Sequence, residues 1–367
     1  MTTSSFSAYD AQCMAEALRL AWRGRYGAHP NPRVGCVFSA GNEIVGRGWH
    51  KQAGGPHAEV NALTDAGGAA AGATAYVTLE PCAHHGKTGP CARALIDAGV
   101  ARVVAAMADP FPEVSGKGFA LLEAAGIDVA FGLLEEEARR LNEGYLSRIE
   151  RGRPFVRLKV ASSVDGATAM SSGESRWITG PEARRDVQRL RAMSGAILTG
   201  SGTVNADDPS LTVRELDVHG QPLRVVVDSQ LGMQPSARML SLPGTTLLCC
   251  IDDDAAAALR DAGAEVQVFP ATGDGKVSLP PVLAELAQRG INDLLVEAGP
   301  GLAGSILEAG LVDELVIYQS PHIMGSETRR MFDTPALDRL DQRFGFRAIE
   351  TRRIGADTRI TARLAQD

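Results

Sequence analysis

Four residues in the first quarter of the chain have the types and spacing of a metal-assisted hydrolase. Gly-Gly-Pro-His-Ala-Glu-Val at 54–60 puts His57 at the start of a helix, because Pro56 suits a helix beginning, and sets Glu59 two residues further on. Downstream, the apolar strand Ala75 to Leu79 runs into Pro81-Cys82, and a second thiol, Cys91, opens the next helix pattern. Thiolates are favoured near helix starts, where the dipole is positive. One imidazole and two thiolates fill three of the four tetrahedral positions that Zn2+ prefers and leave one for water, which is the arrangement of a catalytic site. Two thiolates cancel the charge of the ion, so a bound water is acidified less than at a three-histidine site and a neighbouring base becomes useful. Glu59 is that base: it would take a proton from the water and return protons to a ring nitrogen and to departing ammonia. The alternative is a structural zinc site with His84 or His85 as fourth ligand, which would leave Glu59 without a role.

His-x-Glu followed by Pro-Cys and a second Cys resembles the nucleoside and nucleotide deaminase superfamily, in which the glutamate is a proton shuttle and not a ligand. The spacing departs from the usual Pro-Cys-x-x-Cys. The insert His-His-Gly-Lys-Thr-Gly between Cys82 and Cys91 resembles the variant carried by the riboflavin-pathway diaminohydroxyphosphoribosylaminopyrimidine deaminases. That resemblance implies a three-layer, cytidine-deaminase-like domain. It also implies that Asn31 of His-Pro-Asn-Pro-Arg-Val-Gly, His50 of Gly-Trp-His, and Lys87 contact the base, the ribose or the phosphate of the substrate. Taken alone, Asn31 between two prolines is equally a turn former.

The second half carries no metal cluster, nucleophile elbow or paired-carboxylate pattern. Its clearest feature is Leu-Leu-Val-Glu-Ala-Gly-Pro-Gly-Leu-Ala-Gly at 294–304, a strand that turns through Gly299, Gly301 and Gly304 into a helix. Such a turn lets backbone N–H groups approach a pyrophosphate. The acidic residue that a dinucleotide-binding βαβ unit needs about 20 positions later is missing, since Asp313 and Glu314 come too early. A second glycine turn follows the strand at 196–199 and leads into Asn-Ala-Asp-Asp-Pro at 205–209.

Five strings in order, Leu-Lys-Val-Ala-Ser-Ser-Val-Asp-Gly (158–166), Ser-Gly-Glu-Ser-Arg-Trp-Ile-Thr (172–179), Asp-Asp-Pro (207–209), Val-Val-Asp-Ser (226–229) and Val-Glu-Ala-Gly-Pro (296–300), are similar to the reductase domain of the same riboflavin enzymes, a relative of dihydrofolate reductase that uses NADPH. The resemblance implies that Ala161, Trp177, Thr203, Asp207, Ser229 and the turn Gly299, Pro300, Gly301, Leu302, Ala303, Gly304 and Ser305 line the nucleotide. It implies that Ser175, Arg191, Leu211, Arg214 and Glu297 face the substrate. Arginine suits a ribose 5′-phosphate because its fork makes bidentate contacts. Lys159, Asp207 and Glu297 are the candidates for assisting ring opening, after which an open-chain imine would accept hydride. Without the resemblance, Trp177 reads as core, Arg191 as a solvated helix charge and Asp207 as a cap or turn residue.

The elements that must position these groups alternate. Up to residue 125 the pattern gives a helix from Asp10 to Gly24, a strand near Val34 to Ser39, a helix from His57, a strand at Ala75 to Leu79, a helix from Cys91, a strand at Arg102 to Met107 and a helix near Gly118 to Ala125, a three-layer α/β plan. Gly152 and Pro154 then stop a charged helix end, so the boundary falls there: residues 1–150 form the zinc deaminase domain and 151–367 the NADPH-dependent reductase domain. The second half restarts at Phe155 and alternates to two terminal strand patterns, Phe346 to Arg352 and Thr358 to Leu364.

With 367 residues, 44% of them hydrophobic and 22% charged, the chain is long enough for two ordinary globular domains. A net charge of −7 opposes non-specific nucleic-acid binding. The N-terminus lacks a basic-apolar leader pattern and no run of 18 apolar residues occurs, so a cytoplasmic protein without a membrane partner is expected. Six irregularly spaced cysteines do not make a disulfide framework, and the pair Cys249-Cys250 reads as strand core. The expectation is a bifunctional enzyme acting on a small phosphoribosylaminopyrimidine, with Zn2+ and NADPH, assembled as a homo-oligomer, dimer or tetramer. Its rivals are a zinc deaminase of another nucleotide or of a tRNA base with an unrelated second domain, and a non-catalytic nucleotide-binding module with structural zinc.

Overall fold

In the strand Gly35–Ala40, Cys36 and Phe38 are buried on one face of a sheet and Val37 on the other, so both faces must be covered by helices. A computed structural model describes residues 6–83, 89–112 and 115–364. Its contacts divide the chain into two units, Met1–Gly152 and Arg153–Asp367.

The first unit runs α1 (Ala8–Ala21), β1 (Gly35–Ala40), β2 (Glu43–Trp49), α2 (Ala58–Ala66), β3 (Thr74–Val77), α3 (Cys91–Asp97), β4 (Arg102–Ala105), α4 (Lys117–Ala124), β5 (Asp128–Phe131), α5 (Glu135–Leu141) and α6 (Glu143–Arg151). The sheet order is β2-β1-β3-β4-β5. β1 is antiparallel to β2 and β3, while β3, β4 and β5 are parallel. One face is covered by α2, α3 and α4 through Ala58, Ala62, Leu95 and Leu122. The other is covered by α1, α5 and α6 through Met14, Leu20, Ala138 and Leu146. This is the expected three-layer plan.

Several elements were not in the pattern. β2 is interrupted by Gly46 and Gly48, which hide its alternation. A Cβ on Gly48 would lie 2.3 Å from the Ala62 amide nitrogen and 2.4 Å from the Ala58 carbonyl oxygen, so only glycine lets α2 lie against this strand. The segment expected as a single charged helix end is the pair α5 and α6, which closes the second helical layer.

The second unit continues with β6 (Phe155–Ser162), β7 (Ala167–Ala169), α7 (Pro181–Met193), β8 (Ala196–Gly200), α8 (Ser201–Asp207), β9 (Leu223–Val227), α9 (Arg238–Ser241), β10 (Thr246–Cys250), α10 (Ala257–Asp261), β11 (Glu265–Val268), α11 (Leu279–Gln288), β12 (Asp293–Val296), α12 (Pro300–Glu308), β13 (Glu314–Gln319), β14 (Arg329–Arg330), β15 (Phe346–Ile354) and β16 (Asp357–Leu364). Nine strands form one sheet in the order β11-β10-β9-β8-β12-β6-β13-β16-β15. It is parallel from β11 to β13 and antiparallel through the last two strands.

Val156 and Leu158 of β6 face α11 and α12, while Ile197 of β8 and Leu295 of β12 face α7. Cys249 and Cys250 are strand core. The glycine stretch after β8, expected as a turn, winds into the short helix α8. The chain wound from β8 to β11 runs one way along the sheet, whereas β12 is inserted between β8 and β6. The carboxyl ends of β8, β12 and β6 therefore meet at a change of winding direction, where open α/β sheets bind ligands.

Candidate functional site

In the first unit, His57 is the residue that caps α2, with extended backbone (φ −71°, ψ 169°) and no capping bond from its side chain. The ring is turned instead to the thiols: Nδ1 lies 3.2 Å from Cys91 Sγ and 3.7 Å from Cys82 Sγ. Cys91 is the first residue of α3, and its backbone N–H donates to Cys82 Sγ at 3.3 Å. Tetrahedral Zn2+, with bonds of about 2.0 Å to nitrogen and about 2.3 Å to sulfur, holds such atoms about 3.5 Å apart. The two observed separations bracket that value, so the donor set fits the ion. A hydrogen bond from Cys91, working against burial, holds the Cys82 thiol down to about 4. Cys91 is pushed up by the same hydrogen bond and by burial, and the pair keeps one proton until a cation offsets the second charge.

Glu59, two residues into the same helix, is 3% exposed. Burial, then the Cys82 charge, pushes its carboxyl up to about 7. It lines, with His57 and Cys82, a cavity of about 470 Å³ that also takes in Asn31 and His50. His50 Nδ1 lies 3.0 Å from the Pro56 carbonyl oxygen, which only accepts, so Nδ1 carries the hydrogen. Nε2 then accepts from the Asn31 side-chain amide at 3.0 Å. Burial lowers the His50 pKa and keeps the ring neutral, in accord with that tautomer. Asn31 follows the cis His29–Pro30 peptide in the loop between α1 and β1. Lys87, His84 and His85 lie outside the described residues.

Sequence reasoning missed the wall contributed by Glu80, Asp109, Tyr145 and Arg148. Glu80 is committed to structure: its carboxylate accepts the backbone N–H groups of Asp109, Gly116 and Gly118. Asp109 Oδ1 accepts from Tyr145 Oη at 3.0 Å, and the Arg148 guanidinium stacks on the Tyr145 ring at 5.5 Å. The signal for these last two was present in the amphipathic i, i+3 spacing of residues 145 and 148, within a stretch read as a boundary.

In the second unit, β12 pairs β6 with Leu295 opposite Arg157, so Glu297 and Lys159, each two residues further, share one face. Arg191, in the last turn of α7, covers that face. Its Nε and Nη2 donate to Glu297 at 2.6 and 3.0 Å, and Nη1 to the Thr212 carbonyl oxygen at 3.1 Å. Lys159 Nζ is 3.9 Å from Glu297. Burial pushes Glu297 up, but Arg191 and then Lys159 outweigh it and hold the carboxyl below its ordinary value. Burial lowers Lys159 despite Glu297. Arg214 is exposed and its charge reaches Glu297.

Leu211 is buried with φ +46°, a left-handed conformation, in the loop between α8 and β9, three residues before Arg214. Asp207 ends α8, and its carbonyl oxygen accepts from Arg176; among the described residues no hydrogen bond joins its carboxylate to Lys159 or Glu297. Ser175 and Trp177 sit on the segment before α7, with Trp177 70% exposed beneath the Arg184 guanidinium. Ala161 is on β6, two residues beyond Lys159.

The glycine turns after β8 and β12 are tied together, since the Gly299 N–H donates to Thr203 Oγ1 at 3.1 Å. Pro300 has no N–H, so the free donors at the start of α12 are those of Gly301 and Leu302. A Cβ on Gly301 or Gly202 would meet nothing within 4 Å, which leaves an open cradle along both turns. The buried Thr199 hydroxyl beside it has no partner among the described residues. These features fit a nucleotide. The expected run Gly299 to Ser305 divides, however: Ala303 is core, and a Cβ on Gly304 would lie 2.0 Å from the Asp333 carbonyl oxygen, so these two face inward to packing. The Ser305 hydroxyl donates back to the Gly301 carbonyl oxygen. The Ser229 hydroxyl accepts the Val277 N–H at 3.0 Å at the end of β9.

Residues 7–107 match the cytidine and deoxycytidylate deaminase zinc-binding region, and residues 154–360 match the RibD C-terminal domain. The riboflavin biosynthesis protein RibD of Escherichia coli (strain K12) is 50% identical, over 95% of this chain and 97% of its own length. That of Haemophilus influenzae is 46% identical over 97% and 98%. Among solved structures, Acinetobacter baumannii RibD (form 1) superposes with a TM-score of 0.90 at 43% identity, covering 98% of this chain and 99% of that one. A diaminohydroxyphosphoribosylaminopyrimidine deaminase/5-amino-6-(5-phosphoribosylamino)uracil reductase from Thermotoga maritima gives 0.87 at 32% identity, over 97% and 99%.

Proposed function

The chain belongs to the bifunctional deaminase–reductase family of riboflavin biosynthesis, and from that membership we propose which of its residues perform each step. The enzyme deaminates 2,5-diamino-6-(5-phosphoribosylamino)pyrimidin-4(3H)-one and then reduces the ribosyl side chain of 5-amino-6-(5-phosphoribosylamino)uracil to ribityl, with Zn2+ and NADPH as cofactors. Deamination belongs to the domain ending near residue 150 and reduction to the remainder. The convergence of His57, Cys82, Cys91 and buried Glu59 on one cavity with Asn31 and His50 carries the reading.

His57, Cys82 and Cys91 would hold Zn2+, which would supply Lewis acidity to the water that attacks the ring. Glu59 takes one proton from the attacking water and passes it to the ring nitrogen, then takes the second from the hydroxyl so formed and passes it to the leaving amine, and so ends as it began. Its burial keeps its proton affinity high enough for both roles. Neutral His50 fixes the Asn31 amide, leaving the Asn31 oxygen to accept an N–H of the base, and Lys87 adds a cation for the substrate. In the second domain NADPH supplies the hydride. Lys159, with its pKa lowered by burial, gives a proton to the ribose ring oxygen as the ring opens, while Glu297 orients the lysine and Asp207, at the end of α8, faces the nucleotide and the opening ring. Because the fork of Arg191 is taken up by Glu297, Arg191 positions that carboxylate and Arg214 receives the 5′-phosphate. Ser175 and Leu211 complete the substrate wall. Ala161, Trp177, Thr203, Ser229 and the open side of the turn from Gly299 hold the nucleotide.

The partner is a small molecule. A net charge of −7 supports the absence of nucleic-acid binding. Six free cysteines support a reducing, cytoplasmic setting; among the described residues no helix is long and apolar enough to cross a membrane. Exposed Val164 and Ile323, joined through the Val164 N–H to the His322 carbonyl oxygen, support a homo-oligomer.

The test uses the zinc-loaded full chain. Given the diaminopyrimidine, it should release ammonia and then oxidise one NADPH per ammonia. Glu59→Gln should lower ammonia release by about 10²- to 10⁴-fold with zinc retained, and should still oxidise NADPH when the deaminated intermediate is supplied. Undiminished ammonia release would remove Glu59 from its role, and NADPH left unconsumed by wild type would end the reductase reading.

A further inference from the structure

We propose that Arg148 recognises the 5′-phosphate of the deaminase substrate and so makes the first site specific for a nucleotide over its nucleoside. The inference rests on the deaminase reading above.

The cavity that contains Glu59 and the metal ligands is larger than a pyrimidine ring requires and extends to a wall built by α6. Asn31, His50 and Glu59 are suited to the base, because each offers a neutral or acidic hydrogen-bonding edge. A phosphate dianion needs the opposite. Zn2+ held by two thiolates carries no net charge to offer it, and the carboxylates of Glu80 and Asp109 on the same wall would repel it. Arg148 is the one lysine or arginine among the described residues that line the cavity.

Its surroundings are built rather than incidental. Tyr145, one turn earlier on α6, is buried, and its hydroxyl is pinned to Asp109 Oδ1 at 3.0 Å. Its ring supports the guanidinium at 5.5 Å, which reduces the conformational freedom that an arginine loses on gripping a ligand. Asp109 in turn accepts the Phe111 N–H at 2.9 Å, so its charge is directed to the backbone as well. The Glu80 carboxylate is likewise surrounded by backbone donors. The acidic groups of this wall therefore brace it, and the planar donor fork of Arg148 is the feature matched to phosphate geometry.

The experiment compares ammonia release from the phosphoribosylamino substrate with release from its 5′-dephosphorylated counterpart, using the zinc-loaded full chain and its Arg148→Gln and Arg148→Lys variants. Arg148→Gln should lower the ratio of kcat/KM for the phosphorylated over the dephosphorylated substrate by about 10- to 100-fold, mainly through KM, since a charge-assisted contact is worth that much. Arg148→Lys should recover part of the ratio. Zinc content and NADPH oxidation by the second domain show that each variant is folded. A ratio unchanged by Arg148→Gln, or a wild type indifferent to the phosphate, overturns the inference while leaving the deaminase reading in place. Failure of wild type to release ammonia from either substrate overturns the deaminase reading and this inference with it.

Discussion

Glu297 is a carboxylate that burial alone would neutralise, and it stays charged because Arg191 and Lys159 face it across one side of the sheet. Removing one partner of a buried ionic cluster leaves the others uncompensated, at a cost of about 3–5 kcal/mol. Glu297→Gln should therefore destabilise the second domain by roughly that amount near neutral pH, measured by urea unfolding. The sign with pH follows from the depressed folded-state pKa: the contribution is complete above the ordinary carboxylate pKa and is lost as pH falls through the lower folded value. The gap between wild type and Glu297→Gln should accordingly close in acid. A gap that widened below about pH 4 would contradict the charge assignment.

At the scale of elements, the deaminase site depends on how closely one helix lies on one strand. α2 brings both His57 and Glu59, and it is seated where Gly46 and Gly48 of β2 leave no side chain in the way. Gly48→Ala places a methyl group against backbone atoms of Ala58 and Ala62 that have nowhere to move. Overpacking of this kind costs about 1–3 kcal/mol. The variant should lose thermal stability and, because α2 must lift, bind zinc more weakly at equal protein concentration. Full zinc content together with loss of deamination would show that the strand's glycines serve something other than metal positioning. In the second unit the same logic applies to Gly304, which brings α12 against the backbone of Asp333, while the first turn of the helix at Gly301 stays open.

At the scale of the whole molecule, each unit has its own pair of hydrophobic cores, one on either face of its sheet. The His57, Cys82 and Cys91 donor set lies in the first unit, and the open glycine turns after β8 and β12 lie in the second. Removing zinc with a chelator should abolish ammonia release yet leave NADPH oxidation with supplied deaminated intermediate within about twofold, since binding stabilises only the domain that holds the ligand. Parallel loss of both activities on chelation would show that the two domains do not keep their folds independently.

The residues of the zinc site were legible in the chain because their chemistry is carried by rare types at short range: His57 and Glu59 share a helix start, and Cys82 and Cys91 lie nine positions apart at a strand end and a helix beginning. The alternation of strands and helices, and hence the two α/β domains, was legible for the same local reason. Other features depend on residues distant in sequence and needed the folded chain. The pairing of Lys159 with Glu297 follows from the insertion of β12 beside β6, and the closing of Arg191 on that pair follows from the path of α7 over the sheet. β2 was hidden by glycines whose purpose is visible only against α2. Arg148 lay in a stretch that reads as a boundary and became a cavity residue once α6 packed beside β1, β3 and β4. The sequence thus determined which side chains offer a metal donor set, which carboxyl lies beside it, and the order of elements, which local chemistry and periodicity encode. The tertiary structure decided which charges face one another and which side of each glycine turn stays open, because both depend on strand register and on packing between segments distant in the sequence.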